Sequence, residues 1–232
     1  MERAIIFDVD GTLAETEEGH RRAFNLAFEE AGLPWRWDRD LYHQLLAVTG
    51  GKERIRYFIE DFGPQGVPGD DLDEFIRDLH AGKTRAYAGI VKDGDVELRP
   101  GVRELIAAAR ERGYRLAIAT TTTPANIDAL LQATLGQPAR AHFEVICAGD
   151  CVPRKKPAPD VYLLALEELG LPAERCVAIE DSRNGLLAAH SAGIATIVTP
   201  GVYTIGETFD EAALVVDDLS AIGIATIEAL LG

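Results

Sequence analysis

The sequence predicts an α/β protein that consists of a parallel-sheet core domain and an all-helical insert. From residue 94 onward, short apolar strands alternate with amphipathic helices, whereas residues 15–93 show helical periodicity and no strand signal. Such alternation is typical of a parallel sheet whose strands are joined by right-handed crossovers. We therefore expect a core domain made of residues 1–14 and 94–232, with the helical insert (residues 15–93) following the first strand.

The first strand and the helices of the insert follow from the spacing of apolar residues. The apolar run at residues 4–7 has the composition of a buried strand. Apolar residues at three- and four-residue spacing predict helices over residues 15–32 and 39–47, a helix that ends at residue 62, and a helix over 70–92. Between the last two, the Gly- and Pro-rich residues 63–69 predict a loop, and Trp35 and Trp37 are expected to pack rather than to bind.

The remaining elements alternate regularly along the chain. Strands are predicted over residues 116–119, 143–146, 176–179, 196–198 and 214–216. Helices are predicted over residues 101–112, 124–135, 159–169, 184–192 and about 219–231. Because open parallel sheets bind ligands at the carboxyl ends of their strands, the polar residues that follow these strands are the candidate site.

The composition restricts the kinds of partner that the protein binds. The chain of 232 residues has a net charge of −15, which argues against nucleic acids and anionic membranes, because both attract basic surfaces. No apolar run approaches the roughly 20 residues of a membrane span, and the N-terminus does not resemble a signal peptide. We expect a cytoplasmic monomer that acts on a small molecule.

The three cysteines, Cys147, Cys151 and Cys176, indicate a reducing compartment. Their number is odd and they form no Cys-x-x-Cys pair, so we expect buried, reduced thiols. No histidine lies at ligand spacing from Cys147 and Cys151, which argues against a zinc site.

Polar side chains cluster where the predicted strands end. They are Asp8 and Asp10, Thr120, Thr121 and Thr122, and Glu180 and Asp181, with Lys156 in a nearby loop. A set of ligands made of carboxylate oxygens suits Mg²⁺, which also accepts phosphate oxygens. Lysine and threonine side chains donate hydrogen bonds to phosphate. The sequence therefore predicts a magnesium site that binds a phosphoryl group.

Such a cluster also contains the groups that phosphoryl transfer needs. A carboxylate can act as the nucleophile and form an aspartyl-phosphate. A second carboxylate two residues further on is well placed to protonate the leaving oxygen and then to deprotonate the attacking water. Most of the catalysis would come from positioning and from neutralising charge.

Gly50 and Gly51 precede a predicted helix, with Lys52 and Arg54 close behind. Backbone N–H groups at a helix N-terminus, together with basic side chains, can bind an anion. The same residues also fit a simple helix start after a glycine turn, and the two interpretations stay open. The spacing does not match a P-loop, so a nucleotide-binding loop is not predicted.

The strand-end residues resemble the signature motifs of a known superfamily. Asp8-x-Asp10-Gly11-Thr12, Thr120, Lys156-Pro157 and Glu180-Asp181-Ser182 match, in order, the four motifs of the haloacid dehalogenase superfamily. The resemblance implies a Rossmann-like core with the insert as a type-1 cap. The chain is similar to the β-phosphoglucomutase and phosphoglycolate phosphatase branch. Residues 11–18, 20–24, 49–55, 119–122 and 155–157 look like the CbbY type, xylulose-1,5-bisphosphate phosphatases that remove an inhibitor of rubisco in Calvin-cycle metabolism.

The resemblance implies a role for each residue of the candidate site. Asp8 would be the nucleophile and Asp10 the acid and base, while Thr120 and Lys156 hold the transferred phosphoryl group. Mg²⁺ would be held by the side chains of Asp8 and Asp181 and the main-chain carbonyl of Asp10, with Glu180 acting through a water. The residues expected to contact the substrate are Glu17, His20, Thr49, Gly50, Gly51, Lys52, Lys83, Thr121 and Thr122.

The function implied by the resemblance is Mg²⁺-dependent hydrolysis of a sugar phosphate through an aspartyl-phosphate. The expected reaction converts xylulose-1,5-bisphosphate to xylulose-5-phosphate. A phosphomutase, a phosphoglycolate-type phosphatase and a non-catalytic phosphosugar-binding module stay open as alternatives. A phosphonatase would need a Schiff-base lysine, for which Lys52 and Lys83 are the formal candidates. Arg154 and Asn184 flank the motifs, and for each a substrate contact and a solvated or packing role stay open.

Overall fold

A six-stranded parallel sheet forms the centre of the computed structural model, which describes residues 2–69, 71–136 and 139–232. Its strands are β1 (Ala4–Phe7), β2 (Arg115–Ala119), β3 (Val145–Cys147), β4 (Cys176–Glu180), β5 (Ala195–Val198) and β6 (Leu214–Val215). The order across the sheet is β3-β2-β1-β4-β5-β6, and every pair is parallel. The direction of winding reverses between β1 and β4, which is where such sheets bind ligands.

Helices cover both faces of the sheet and form the insert. Those of the core are α5 (Val102–Glu111), α6 (Pro124–Leu135), α7 (Asp160–Leu169), α8 (Arg183–Ser191) and α9 (Ile224–Leu231). Between β1 and α5 lie the helices of the insert, α1 (Glu17–Glu30), α2 (Arg39–Leu45), α3 (Gly51–Phe62) and α4 (Leu72–Lys92). This confirms the predicted fold class, while the domain boundaries near residues 14 and 93 stay predictions. Within the described ranges, no helix has both the length and the apolar composition needed to span a bilayer.

The first strand is apolar throughout because both of its faces are covered. Side chains alternate between the two faces of a sheet. Ile5 and Phe7 join the apolar layer under α5, α6 and α9, whereas Ala4 and Ile6 join the layer under α7 and α8. All four side chains are fully buried. A central strand of a parallel sheet therefore needs a continuous apolar run rather than an alternating pattern.

The helical insert packs around an aromatic core of its own. The fully buried Trp37 lies at its centre. The rings of Phe24, Phe28 and Phe58 lie 4.6, 4.9 and 5.4 Å from it, at the tilted and edge-on angles that aromatic rings favour. Trp35 packs edge-on against Phe28 and Phe58, and its Nε1 donates to the carbonyl of Gln65 at 2.5 Å. The prediction that both tryptophans pack is confirmed.

The third strand and the last helix begin later than predicted. The third strand was predicted over residues 143–146 but runs over Val145–Cys147, because Ala139–His142 form a 3₁₀ helix and Phe143 packs edge-on against Phe7. The last helix was predicted from residue 219 but begins at Ile224, after a 3₁₀ turn that the side chain of Asp218 caps. In both cases short-range turns replace the first residues of the predicted element.

The cysteines agree only partly with the prediction. All three are free thiols, and Cys147 and Cys176 are buried in strands. Burial raises the pKa of Cys147 to about 12 and that of Cys176 to about 11. The expected burial of Cys151 is wrong, since this residue lies exposed in the loop after β3.

Gly101 occupies a backbone position that no larger residue fits. Its φ is +81°, and a Cβ atom there would lie 2.1 Å from the carbonyl carbon of Leu219. We predict that Gly101→Ala lowers the free energy of unfolding by roughly 3 kcal/mol, from the positive φ and the overpacking together. The control is Gly113→Ala, at φ +75° with open space around it, where only about 1 kcal/mol is expected. Urea denaturation measures both, and equal losses would contradict the steric argument.

Candidate active site

A cavity of about 860 Å³ lies between the carboxyl ends of the strands and the helical insert. The predicted site residues that line it are Asp8, Asp10, Glu17, His20, Thr49, Gly50, Gly51, Lys83, Thr120, Thr121, Thr122, Lys156 and Asp181. Two predicted residues, Lys52 and Glu180, are not among its described lining residues. The structure therefore brings the core motifs and most of the predicted insert residues together around one space.

Lys156 joins two of the carboxylates. Its ammonium donates to Asp8 Oδ1 and to Glu180 Oε1, each at 2.6 Å, and to the carbonyl of Ala119 at 2.9 Å. The hydroxyl of Tyr162 also donates to Glu180 Oε1, at 2.5 Å. Burial alone would lower the pKa of Lys156, but the two carboxylates hold it above its ordinary value. Lys156 therefore stays charged.

Asp8, Glu180 and Asp181, called here the carboxylate edge, fit a divalent cation. Each offers an oxygen within 4.8 Å of the others, and all three are buried. Burial raises the pKa of Asp8 to about 7 despite Lys156, and burial with the charges of Asp8 and Glu180 raises the pKa of Asp181 well above its ordinary value. In the described part of the chain, Glu180 Oε2 is buried without a hydrogen-bond partner. Oxygen ligands with excess negative charge suit Mg²⁺.

Gly11 allows the loop after β1 to lie against the loop after β4. Its φ is +79°, and a Cβ atom there would lie 2.2 Å from Asp181 Oδ2. The hydroxyl of the next residue, Thr12, lies 3.5 Å from Asp181 Oδ1. A glycine after Asp10 is therefore needed for the close approach of the two loops as well as for the turn.

Side chains of the helical insert hold Asp10 through a series of hydrogen bonds. Its Oδ1 accepts from the hydroxyl of Thr16 at 2.6 Å and contacts His20 Nε2 at 2.8 Å, while Lys83 Nζ lies 2.8 Å from His20 Nδ1. Because the Lys83 ammonium can only donate, His20 Nδ1 accepts and Nε2 carries the proton that it donates to Asp10. The imidazole also stacks on Tyr87 at 4.0 Å.

These contacts set the ionisation states of Asp10 and Lys83. Burial alone would raise the pKa of Asp10, but the favourable electrostatic interaction and hydrogen bond with His20, the hydrogen bond from Thr16 and the charge of Lys83 hold it well below its ordinary value. Burial lowers the pKa of Lys83 to about 8, even though the charge of Asp10 acts to raise it. Asp10 is therefore ionised at neutral pH, and Lys83 is still protonated there.

Threonine side chains line the end of β2. Thr120 is buried, and its hydroxyl accepts from the backbone N–H of Thr122 at 3.4 Å. The hydroxyl of Thr122 in turn accepts from Asn126 Nδ2 at 3.2 Å. The helix α6 begins directly afterwards, at Pro124, so the positive end of its dipole adds to the hydroxyl donors. This side of the cavity is suited to bind an anion beside Asp8 and Lys156.

The insert contributes a buried arginine to the cavity. Arg54 donates to the carbonyl of Leu45 at 3.2 Å and to the hydroxyl of Tyr42 at 3.2 Å, and its guanidinium lies 5.3 Å from the centre of the Tyr42 ring. The Tyr42 hydroxyl donates to Glu17 Oε2 at 2.6 Å. Arg54, Tyr42 and Glu17 are called here the distal seat. Arg54 and Glu17 both line the cavity, so the seat contains one fixed guanidinium that can bind an anion and one carboxylate that the Tyr42 hydroxyl binds.

Lys52 is placed differently from the prediction. Its ammonium pairs with the carboxylate of Asp150, in the loop after β3 of the core. Hydrogen bonds from the ammonium groups of Lys155 and Lys52 lower the pKa of Asp150 to about 2. Lys52 therefore connects the insert to the core beside the cavity rather than inside it, whereas Arg54, the other basic residue near this helix start, lines the cavity.

Comparison with known proteins identifies the family. A family model for haloacid dehalogenase-like hydrolases matches residues 2–193. The chain belongs to the haloacid dehalogenase-like hydrolases. A curated relative, protein CbbY of Cereibacter sphaeroides, is 51% identical over 223 residues, which are 96% of this chain and 95% of that protein. The predicted resemblance to this superfamily and to the CbbY type is confirmed, and with it the prediction of a phosphatase-type enzyme.

Two solved structures have closely similar folds. CbbY from Rhodobacter sphaeroides in complex with phosphate superposes with a TM-score of 0.93 at 50% identity, covering 98% of this chain and all (100%) of that one. A mutant CbbY from the same organism, in complex with xylulose-(1,5)bisphosphate, gives a TM-score of 0.90 at 51% identity and covers 96% and 97% of the two chains. The Rossmann-like core with an inserted helical cap is thereby confirmed.

Other residues around the cavity of this hydrolase carry no motif that marks them in the sequence. His80 lines the cavity, and a Cβ atom on Gly51 would lie 2.5 Å from its Nε2 atom. Burial and the charge of Lys83 lower the pKa of His80 to about 3. Asn184, one of the two residues that flank the motifs, donates to the Thr49 hydroxyl at 3.1 Å, and both residues line the cavity. The other, Arg154, pairs with Asp160 instead.

The loop that follows β5 also lines the cavity and was not predicted to do so. This β5 loop (residues 199–208) includes Tyr203 and Thr204, both of which are cavity-lining residues. Sequence analysis identified a strand end at residue 199 but no chemical motif beyond it. Loop residues with ordinary side chains become part of a site through tertiary contacts, which leave no local pattern.

The lowered pKa of Lys83 predicts a change of stability with pH. Between pH 8 and 10.5 the unfolded chain binds more protons at this lysine than the folded one, so the free energy of unfolding rises with pH. Between pH 8 and 10.5, the free energy of unfolding of the wild type should rise by on the order of 3 kcal/mol relative to that of Lys83→Met. Thermal or urea unfolding of both proteins measures the difference.

The matched control for this prediction is Lys92→Met, which removes an exposed lysine from the end of the same helix. Its unfolding free energy should follow that of the wild type at every pH. If the Lys83→Met and wild-type curves stay parallel from pH 7 to pH 10.5, the buried lysine does not titrate as described.

Proposed function

We propose that this chain is a Mg²⁺-dependent phosphatase that converts xylulose-1,5-bisphosphate to xylulose-5-phosphate. The observation that carries the proposal is a cavity lined by anion-binding groups from both the core and the insert. Lys156 and Thr120 lie at the carboxylate edge, and the buried Arg54 lies at the distal seat. A substrate with two phosphates matches these two groups. The similarity to the CbbY protein in complex with xylulose-(1,5)bisphosphate supports the same substrate.

The reaction begins with attack by Asp8 on the phosphorus atom. A bond forms between a carboxylate oxygen of Asp8 and phosphorus while the bond between phosphorus and the sugar oxygen breaks. Asp10 gives a proton to the sugar oxygen. A water then attacks the aspartyl-phosphate and gives a proton to Asp10, so that inorganic phosphate leaves and both aspartates are restored. Lys156 and Thr120 neutralise and orient the phosphoryl oxygens.

Asp10 is prepared for its role by the groups that bind it. In the free protein it is ionised, which is the state needed to accept the proton of water. Before it can protonate the leaving sugar it must receive a proton itself. His20 Nε2, in direct contact with Asp10, would give it that proton while the Lys83 ammonium gives one to His20 Nδ1, so that the imidazole stays neutral. The proton that water later gives to Asp10 would return along the same path. When the insert closes over the substrate, these groups exclude bulk water from the reaction.

The carboxylate edge would hold Mg²⁺. The side chains of Asp8 and Asp181 and the main-chain carbonyl of Asp10 would be its ligands, with Glu180 acting through a water. The unpartnered Glu180 Oε2 and the raised pKa of Asp181 both indicate negative charge that a cation would compensate. Bound there, Mg²⁺ supplies charge neutralisation for the phosphoryl group.

The distal seat would bind the second phosphate. Arg54 is held in place by Tyr42 and the backbone of Leu45, so little side-chain entropy is lost when it binds an anion. The N-terminus of α3 at Gly51 adds backbone donors and a favourable dipole. The second anion site predicted near Gly50 and Gly51 is therefore retained, with Arg54 in place of Lys52 as its cation.

The test of this function is release of inorganic phosphate from xylulose-1,5-bisphosphate with Mg²⁺ present. We expect turnover by the wild type and none by Asp8→Asn, since an amide cannot attack phosphorus, with an unchanged circular dichroism spectrum. The control is Asp95→Asn, which breaks an exposed ion pair with Arg22 and should retain full activity. Rearranged sugar without free phosphate would indicate a phosphomutase, and substantial activity in Asp8→Asn would exclude the mechanism.

Arg54→Gln should discriminate between substrates with one and two phosphates. Loss of a charged hydrogen-bond donor costs roughly 1.5–3 kcal/mol, so kcat/KM for the bisphosphate should fall about 10- to 100-fold. Hydrolysis of p-nitrophenyl phosphate, which has no second phosphate, should change by less than about threefold. Steady-state kinetics on the two substrates measure the ratio.

Two other cations of α3 serve as comparisons for Arg54→Gln. Arg56 pairs on the surface with Asp73, so Arg56→Gln should leave both substrates unaffected. Lys52→Gln should have a smaller effect on the bisphosphate than Arg54→Gln. The assignment of the distal seat is contradicted if Lys52→Gln has the larger effect, or if Arg54→Gln lowers both activities equally.

A further inference from the structure

Two neighbouring residues of the β5 loop attach it to opposite sides of the cavity. The hydroxyl of Thr204 donates to the main-chain carbonyl of Asp181 at 2.7 Å and accepts from the N–H of Gly201 at 2.8 Å. Thr204 is buried. The Tyr203 hydroxyl instead donates to Glu18 Oε2, on α1 of the insert, at 3.0 Å. The adjacent residues Tyr203 and Thr204 therefore link the insert to the carboxylate edge.

Tyr203 also packs against the distal seat. Its ring lies edge-on to Tyr42, with the ring centres 5.7 Å apart, and 6.3 Å from the ring of His43. Tyr42 is fully buried, and its hydroxyl connects Arg54 with Glu17. A change in the position of Tyr203 would therefore displace Tyr42, which holds Arg54 in place.

Glu18 presents a rigid acceptor to Tyr203. Arg21 binds both of its carboxylate oxygens, at 2.6 and 3.0 Å. That hydrogen bond, together with the one from Tyr203, holds the pKa of Glu18 at about 2, so the acceptor is charged throughout the neutral range. A charged, doubly fixed acceptor makes the contact with Tyr203 depend on the position of the whole of α1.

The root of the β5 loop is fixed to the core. Arg99 donates to the carbonyls of Thr199 and Pro200 at 2.6 and 2.9 Å, and the N–H of Thr199 donates to the carbonyl of Glu180 at 2.8 Å. Arg99 also pairs with Glu15 at 3.3 Å, where the chain enters the insert. With its root fixed, the part of the loop that responds to the insert is the segment around Tyr203.

We propose that Tyr203 is a positioning residue that couples the distal seat to the carboxylate edge. A second phosphate at Arg54 holds Tyr42 in place, Tyr42 and Glu18 hold Tyr203, and Thr204 then holds the backbone of Asp181. The carboxylate edge is fully ordered only when the insert is docked on the β5 loop. This inference rests on the proposed function, because it assumes a substrate whose second phosphate reaches Arg54.

The coupling is tested by kinetics of Tyr203→Leu and Tyr203→Phe at saturating Mg²⁺. Tyr203→Leu removes the ring and should lower kcat/KM for xylulose-1,5-bisphosphate about tenfold, a larger loss than for p-nitrophenyl phosphate, which has no second phosphate to bind Arg54. Tyr203→Phe keeps the ring contact with Tyr42 and loses the hydrogen bond to Glu18, so it should show an intermediate loss. The control Val202→Ala truncates the adjacent, exposed side chain and should match the wild type.

Calorimetric titration with Mg²⁺ alone provides a readout that does not depend on activity. Tyr203→Leu should weaken Mg²⁺ binding by about threefold or more, although Tyr203 contacts none of the carboxylates of the carboxylate edge, and Val202→Ala should not. Equal kinetic losses on both substrates would reduce Tyr203 to a structural role. Unchanged Mg²⁺ affinity in Tyr203→Leu would overturn the coupling.

The two proposals fail in distinguishable ways. If the wild type hydrolyses p-nitrophenyl phosphate but not xylulose-1,5-bisphosphate, the proposed substrate is wrong. In that case the Mg²⁺ titration still decides whether Tyr203 is coupled to the carboxylate edge. If the wild type acts on the bisphosphate and the Tyr203 variants behave as the wild type in both measurements, the coupling alone is wrong.

Discussion

Three buried carboxylates facing one lysine are the constraint on which the rest of the active site depends. Among the described residues, Asp8, Glu180 and Asp181 lie within ligand distance of one another, and Lys156 bonds directly to the first two. Burying like charges together is costly unless protons or cations compensate them. The raised pKa values of Asp8 and Asp181 reflect that cost. A divalent cation removes it, which makes the same cluster suitable for binding a phosphoryl group.

The parallel sheet is what makes this costly arrangement possible. β1 and β4 pair in register from Ala4 with Cys176 to Phe7 with Ile179, so Asp8 and Glu180 leave the sheet side by side. The hydrogen-bond ladder continues into the site, since the N–H of Asp8 donates to the carbonyl of Ile179 at 3.0 Å. Backbone pairing therefore places these carboxylates next to each other, independently of the side-chain contacts. The helical insert adds His20, Lys83 and Arg54 from the other side.

Sequence analysis predicted the sheet edge because its determinants are local. An apolar strand followed by Asp8 and Asp10, and another followed by Glu180 and Asp181, must meet when the strands are parallel neighbours. The prediction of site residues was less successful in the insert, because there it depends on the direction in which each helix side chain points. Lys52 and Arg54 are two residues apart on α3, so they project from different sides of the helix. Arg54 lies on the face buried with Ile55 and Phe58, whereas Lys52 faces Asp150. The β5 loop was missed because its role comes only from long-range contacts.

Thermal unfolding at pH 8 with and without Mg²⁺ measures whether the carboxylate edge carries excess negative charge that this cation compensates. At about 100 times its Kd, Mg²⁺ should stabilise the wild type by about 2.7 kcal/mol, or roughly 5 °C or more in Tm. Asp181→Asn should be at least as stable as the wild type without Mg²⁺ and should show no rise with it. A variant that is less stable without the cation and still gains the full shift would contradict the account.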